Sequence, residues 1–310
     1  MNSRDVHIDA ALTNVTVQYT PGGFVADIVA PIVPVEKESD KYYVFTREET
    51  LRTFQDLRAD GAEANVVDMK LSNDTYFCEE YALKTHISVR TLKNADSALK
   101  LEMRKTKWLK NTMLLAREKR VAAKLRDLAN YATGHKVTLS GTSQWSNASY
   151  TGDPMLEIDA GISAIYDATG GNFPNYVLMP YPVAVVFANN QKVLDKMKYT
   201  NGSLITASGV PKIIRNMNVV IPGAVETTSG EGASTATFAG VWGKDLIMGI
   251  ANNGSTMDEL SQFYTFRNQE WETRKWFEQG LKSYVYETSV IEDVKRISEY
   301  AGYIIKNVIA

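Results

Sequence analysis

The sequence predicts an α+β fold from which long segments extend. One helical stretch, residues 96–131, contains neither proline nor glycine, and at ~1.5 Å per residue it would span about 54 Å. Apolar runs typical of strands lie far apart in the chain, as at 75–89 and 246–250, which favours pairing between distant segments. The first 35 residues include three prolines that prevent a continuous helix or central strand, so we expect an extended arm there.

The remaining elements follow from local patterns in chain order. Residues 36–74 alternate short apolar patches with mixed charges, which predicts a long two-stranded loop standing away from the core. The stretch 135–153 is rich in Gly, Ser, Thr and Asn and is predicted to be a loop. The other predicted elements are helices over 155–168, 182–190 and 192–198, strands over 175–179, 219–221, 238–242 and 246–250, and a mixed tail over 271–309.

Composition limits the function classes. The chain has 310 residues, of which 44% are hydrophobic, so it can bury a large core and fold without disulfide bonds. Cys78 is the single cysteine and no apolar leader follows Met1, which favours a reducing compartment. No apolar run reaches the ~18 residues that a membrane span requires. The 34 basic and 36 acidic residues nearly balance, so the overall charge does not indicate a nucleic-acid-binding protein.

Residues that could carry chemistry are scattered. His7, His86 and His135 have no metal-ligand spacing, and we expect each to be structural or solvent-facing. The sequence has no phosphate-binding glycine motif and no nucleophile elbow. Cys78 lies in a β-rich run, where a lone cysteine is usually a small core residue. The sequence therefore predicts no catalytic residues, no metal and no cofactor.

The predicted long helix is strongly basic. Residues 96–131 hold ten basic and four acidic residues, a local net charge of +6 in a chain of −2. Two interpretations remain open: a solvated face that pairs with acidic residues of the extended loop, or contact with nucleic acid. For the second interpretation the candidate residues are Lys105, Lys107, Lys110 and Lys124.

The extended loop is the candidate contact between subunits. A two-stranded ribbon is marginally stable alone, so we expect residues 36–74 to lie on another surface. Three aromatic residues would supply apolar anchors and three arginines would pair with acidic groups of a neighbour; they are Tyr42, Phe45 and Phe54, and Arg47, Arg52 and Arg58.

The order of the elements resembles that of the Hong Kong 97-type major capsid proteins of tailed bacteriophages. The most similar stretch is residues 175–197, NYVLMPYPVAVVFANNQKVLDKM, followed by GVPKII at 209–214 and NVVIP at 218–222. The resemblance covers nearly the whole chain. It implies an N-terminal arm (1–35), an extended loop (36–74), a peripheral domain with a spine helix (75–174, with the helix at 96–131), an axial domain (175–268) and a C-terminal return to the peripheral domain (269–310).

The resemblance implies a structural, non-enzymatic subunit of an icosahedral phage head that encloses double-stranded DNA. Its partners would be many copies of itself in hexamers and pentamers, non-specifically bound DNA, and separate scaffold, portal and decoration proteins. No membrane would be among its partners. The protein would be assembled in the host cytoplasm and reside in the virion. Because no long charged region precedes the arm, we expect an uncleaved N-terminus. No crosslinking signature accompanies Lys41 or Lys70. The alternatives are an encapsulin-type compartment for cargo enzymes and, more remotely, a soluble enzyme.

Overall fold

The computed structural model describes most of the chain. The described residues are 22–45, 47–58, 60–61, 63–68, 71–95, 100–197, 211–230, 232–252 and 259–310. Within them, seven α-helices and fourteen strands are formed. The helices are α1 (Ala26–Val29), α2 (Arg47–Thr50), α3 (Val89–Asn94), α4 (Leu101–Leu125), α5 (Pro154–Ala168), α6 (Tyr181–Ala188) and α7 (Gln191–Met197). The strands are β1 (Ile32–Pro34), β2 (Ser39–Phe45), β3 (Leu71–Phe77), β4 (Glu79–Ser88), β5 (Lys136–Thr138), β6 (Tyr176–Leu178), β7 (Ile213–Ile214), β8 (Met217–Val220), β9 (Val225–Thr227), β10 (Phe238–Gly240), β11 (Leu246–Gly249), β12 (Phe263–Glu278), β13 (Ser283–Arg296) and β14 (Gly302–Lys306).

A four-stranded sheet carries the long helix. Its strand order is β1-β12-β13-β4, and β12 and β13 form a long antiparallel hairpin. β4 pairs with β13 across about 200 residues of sequence, from Ser88 opposite Ser283 to Glu79 opposite Glu292. Helix α4, called the spine helix below, packs on β4 and β13, and it buries Leu109 and Met113. The predicted pairing between distant segments is confirmed.

A six-stranded sheet holds the largest apolar core. Its order is β5-β14-β11-β6-β8-β7, with both parallel and antiparallel pairs. Helices α5 and α6 bury Ile158, Ile165 and Phe187 in its core. Asp153 caps α5 by accepting a hydrogen bond from the backbone N–H of Met155, and Pro154 occupies the first turn, where its missing N–H costs nothing.

The predicted division into domains remains a proposal, and the structure refines where its segments lie. Strand β12 is continuous through Asn268, so the expected boundary after residue 268 falls inside a strand. The boundary after residue 74 falls inside β3 in the same way. Strands β5 and β14 join the sheet that β6, β8 and β11 form, although their residues lie outside 175–268.

The long helix is shorter than the sequence predicts. It begins at Leu101 and ends at Leu125, a length of about 37 Å at ~1.5 Å per residue. The chain then turns into a short 3₁₀ segment over Leu128–Asn130. Two contacts hold the turn: the Asp127 side chain accepts from the backbone N–H of Ala129, and the Tyr131 hydroxyl donates to the carbonyl of Leu125. The expected residues 96–99 lie outside the described part of the chain.

The root of the N-terminal arm is fixed to the body. Gly23 has a φ of +71° and accepts a backbone hydrogen bond from Gly223 at 3.0 Å. A Cβ at Gly23 would lie 2.6 Å from the backbone nitrogen of Gly223, so the two backbone segments can come this close only because both residues are glycine. Residues 1–21 of the predicted arm lie outside the described residues.

Candidate assembly surfaces

A buried ionic junction joins the spine helix to the long hairpin. The Glu292 carboxylate is 1% exposed and accepts from Arg117 at 3.0 Å, from Arg267 at 2.9 Å and from Arg120 at 3.2 Å. Burial alone would raise the pKa of Glu292, but the charges of Arg117, Arg267 and Arg120 more than offset burial and hold that pKa below its ordinary value. Arg117 also pairs with Asp27 at 2.7 Å, which ties the arm to the same junction.

A second buried carboxylate seats the arm on the spine helix. Glu118 is 1% exposed and accepts from the backbone N–H groups of Val25 and Ala26, at 2.9 and 3.0 Å. The indole Nε1 of Trp242 donates to the same carboxylate at 2.7 Å. Free N–H groups at the start of a helix are satisfied by carboxylates in this way, so Glu118 fixes where α1 begins.

The extended loop exposes apolar side chains on both sides of its tip. After α2, residues 51–58, 60–61 and 63–68 contain no strand. Large apolar side chains are nevertheless exposed there: Leu51 at 47%, Phe54 at 49%, Leu57 at 80%, Val66 at 89% and Val67 at 54%. Several exposed large apolar side chains on one loop are more typical of an interaction surface than of a solvated loop. The sequence prediction named only Phe54 of these, because isolated leucines and valines in a charged stretch give no periodic signal.

The other predicted interface residues divide into three groups. Phe54 is exposed, as expected for an anchor, and Arg52 and Arg58 are exposed on the same loop. Arg47 lies over the ring of Tyr300 in its own subunit, 5.2 Å from the ring centroid. Phe45 is in β2, and its side chain lies outside the described part of the structure.

Tyr42 does not fit the prediction that it anchors a neighbour. Its side chain is 6% exposed, and its ring packs at 5.3 Å from that of Phe266 in the same chain. Its hydroxyl donates to Asp74 at 3.1 Å, and burial followed by the nearby charge of Asp74 raises the pKa of Tyr42. Tyr43, on the opposite face of β2, is 69% exposed instead. The run of four apolar residues at 42–45 gave no sign of which face is buried.

The four candidate lysines of the spine helix differ in their exposure and in their hydrogen-bond partners. Lys105 donates to the backbone carbonyl of His86 at 3.1 Å, so it has a partner within the subunit, and its contact with nucleic acid stays a prediction. Lys107, Lys110 and Lys124 are exposed. In the described part of the chain, these three have no carboxylate within 4.0 Å.

His135 and Cys78 are buried, whereas His86 is exposed. His135 is buried, and its Nδ1 lies 3.1 Å from the carbonyl oxygen of Gly302; burial lowers the pKa of His135. Burial raises the pKa of the Cys78 thiol to about 11, which disfavours the reactive thiolate at neutral pH. His7 lies outside the described residues. Among the described residues, no group of three or more His, Cys, Asp or Glu side chains is placed to hold a metal, and none of the helices has the length and apolarity to span a bilayer.

Solved structures share this fold. The chain matches a phage-related protein from Bordetella bronchiseptica RB50 with a TM-score of 0.69 and 22% identity, over 97% of each chain. It matches the capsid of Cyanophage P-SCSP1u with a TM-score of 0.65 and 9% identity, over 94% of this chain and 89% of that one. An encapsulin complex from Synechococcus elongatus is a weaker match, with a TM-score of 0.53 and 10% identity. The fold is therefore the α+β fold of Hong Kong 97-type capsid proteins, as the sequence resemblance implied.

A curated relative adds a function to the fold. The major capsid protein of Burkholderia phage BcepMu is 26% identical over 97% of this chain and 96% of its own length. No protein-family model matches the chain. The expected relationship to tailed-phage major capsid proteins is confirmed, and with it the role of a structural subunit of a phage shell, a component of the virion. The relative carries the name of a structural protein rather than that of an enzyme.

Proposed function

We propose that the chain assembles with many copies of itself, as hexamers and pentamers, into a closed icosahedral shell, and that the extended loop is the clamp between neighbours. The observation that carries this proposal is the exposed apolar set Leu51, Phe54, Leu57, Val66 and Val67. These five side chains lie on a loop without a core of its own, and covering the exposed part of each would contribute about 1 kcal/mol. A neighbouring copy that covers them recovers this free energy in every subunit contact.

Serine substitutions in the loop test the clamp. The variant Leu57→Ser, Val66→Ser, Val67→Ser removes three of the most exposed apolar side chains, and we expect folded subunits that do not form shells. The matched control is Thr53→Ser, Gln55→Ser, Glu63→Ser, which changes three exposed polar residues of the same loop. Circular dichroism checks the fold, and sedimentation with negative-stain electron microscopy counts shells. Normal shells from the first variant would show that the loop does not hold neighbours together.

We further propose that the shell encloses double-stranded DNA and that Lys107, Lys110 and Lys124 face it. The support is that these lysines are exposed and lack carboxylate partners in the described part of the chain, whereas a polyanion would supply them. Binding would then be independent of DNA sequence and would weaken as salt rises. Assembly would take place in the host cytoplasm, with scaffold, portal and decoration functions supplied by separate proteins.

Charge removal tests the contact with DNA. Shells of the variant Lys107→Gln, Lys110→Gln, Lys124→Gln should form normally and retain less DNA after a salt wash than wild-type shells. The control Lys212→Gln changes an exposed lysine that lies away from the spine helix, next to β7. DNA retention equal to wild type in the triple variant would remove these lysines from the proposal. Failure of the triple variant to assemble would place them in subunit contacts instead.

A further inference from the structure

The extended loop contacts its own subunit at two points near its root. The guanidinium group of Arg47 in α2 lies over the ring of Tyr300, 5.2 Å from the ring centroid. Leu51 lies against Gly170, because a Cβ built on that glycine would be only 2.6 Å from Cδ2 of Leu51. The backbone N–H of Leu51 donates to the carbonyl of Arg47 at 3.0 Å, so one helical turn carries both contacts. We call Arg47, Leu51, Gly170 and Tyr300 the loop latch.

The body of the subunit fixes both positions that receive the loop. Tyr300 lies between β13 and β14, and the ring of His135 meets its ring edge-on, with centroids 5.9 Å apart. His135 is buried, and its Nδ1 lies 3.1 Å from the carbonyl oxygen of Gly302 at the start of β14. Gly170 follows α5 with a φ of +72°, and its missing side chain leaves room for Leu51. The loop root therefore contacts segments that adjoin the core of the six-stranded sheet.

The exposure of the apolar side chains increases from the loop root toward its tip. Leu51 is 47% exposed and Phe54 is 49% exposed, whereas Leu57 reaches 80%. Val66, on the returning branch, is 89% exposed. The subunit thus covers part of the root and leaves the tip uncovered. A contact that inhibited assembly would cover the tip, so the loop latch must act in another way.

We infer that the loop latch preorganises the extended loop, so that the apolar tip is presented to a neighbouring copy of the chain. The inference rests on the proposed clamp and adds the contacts that orient it. A loop without a core of its own has many conformations, and losing them on association weakens binding. Contacts that form before association remove part of this cost. Subunits with an intact loop latch therefore assemble at a lower concentration than subunits without it.

Hydrogen exchange of the full-length subunit, below its assembly concentration, tests whether the loop latch forms in solution. Mass spectrometry follows peptides that cover residues 47–58, whose sequence is the same in wild type and in both variants. Tyr300→Leu removes the aromatic face beneath Arg47, and Gly170→Ala places a Cβ against Leu51. Each variant should raise the exchange rate of these peptides by about two- to fivefold, the effect of losing one exposed contact of this kind.

Each variant has a matched control. Tyr300→Phe keeps the ring that Arg47 covers and should exchange like wild type. Gly171→Ala also places a side chain at a positive φ, +99°, but its Cβ would lie 3.8 Å from the ring of Tyr166 and would not meet Leu51. It therefore shares the backbone strain of Gly170→Ala without the contact. If both alanine variants unfold this turn, the comparison of Tyr300→Leu with Tyr300→Phe decides alone.

The concentration needed for assembly tests what the loop latch does. Light scattering over a series of subunit concentrations gives the threshold for shell formation. This threshold should rise by about two- to fivefold in Tyr300→Leu and Gly170→Ala and stay at the wild-type value in Tyr300→Phe and Gly171→Ala.

Two outcomes would overturn the inference. Unchanged exchange in both test variants would show that the loop latch does not form in solution. Faster exchange with an unchanged or lower threshold would show that the loop latch forms but does not promote assembly. Failure of the proposed clamp is a different result, because the variant Leu57→Ser, Val66→Ser, Val67→Ser would then assemble at the wild-type threshold.

Discussion

Glutamine in place of Glu292 tests whether the buried ionic junction holds the spine helix to the hairpin. Glu292→Gln preserves the shape of the side chain and removes the one negative charge that Arg117, Arg267 and Arg120 share. Each charge-assisted hydrogen bond contributes about 1.5–3 kcal/mol. Arg117 keeps Asp27 and Arg267 keeps Glu270, so the loss should be smaller than the sum of three bonds. We expect a loss of about 3–5 kcal/mol in the free energy of unfolding, the usual cost of leaving a buried charge without its partner.

Urea unfolding of unassembled subunits measures this loss. With an m-value of about 3 kcal/mol/M, the midpoint should fall by about 1 M or more. The matched control is Glu270→Gln, which makes the same chemical change in a carboxylate that also contacts Arg267 at 3.1 Å but is 73% exposed. The control should lose less than about 1 kcal/mol, because water replaces an exposed partner. Equal effects of the two substitutions, or a loss below about 1 kcal/mol for Glu292→Gln, would refute the role given to burial.

Three further predictions follow from the same contacts. Because the pKa of Glu292 is lowered in the folded state, the carboxylate stabilises the fold fully above the ordinary value of 4.5, and this stabilisation is lost as the pH falls through the folded-state pKa. The unfolding free energies of wild type and Glu292→Gln should therefore converge in acid. Gly23→Ala should detach the root of the arm from Gly223 and speed proteolysis there. Gly280→Ala is the control, because a Cβ at that position has no atom within 4 Å, and equal proteolysis rates in the two variants would contradict the backbone contact. Trp242→Phe removes a donor to Glu118 and should cost about 1.5–3 kcal/mol in urea unfolding, and an unchanged midpoint would contradict that role.

Sequence patterns were sufficient to predict an element of the fold where one signal dominated the segment. The absence of proline and glycine predicted a long helix, and mixed charge with short apolar patches predicted the extended loop. The end of the helix could not be predicted, because Arg126 is held there by Asp245, which lies 119 residues away in sequence and which only the fold brings near. Likewise, Lys105 meets the carbonyl of His86 across 19 residues, and no local pattern indicates that acceptor.

The candidate surfaces could be predicted only in part for a related reason. A surface depends on which side chains the subunit leaves uncovered, and this is a property of the packed structure. Tyr42 and Tyr43 are adjacent and chemically identical, yet one is buried against Phe266 and the other is exposed. The charge of the spine helix was visible in the sequence, but which of its basic residues have a carboxylate partner could be seen only once the partners of Arg117 and Lys119 were located.

The register of the long hairpin bears on the curvature of the shell. Pairing of β12 with β13 shifts between Arg267 and Gln269 and again between Gln269 and Glu272, and regular pairing resumes from Glu272 to Glu278. Extra residues at such bulges let a ribbon bend and twist while the ladders on either side stay intact. The buried first half of β12 is thus separated from its exposed second half by an irregular segment, whereas β13 stays paired with β4 without a shift. In the proposed shell, where identical subunits meet at slightly different angles around five-fold and six-fold positions, β12 would bend at this segment while the pairing of β13 with β4 is kept.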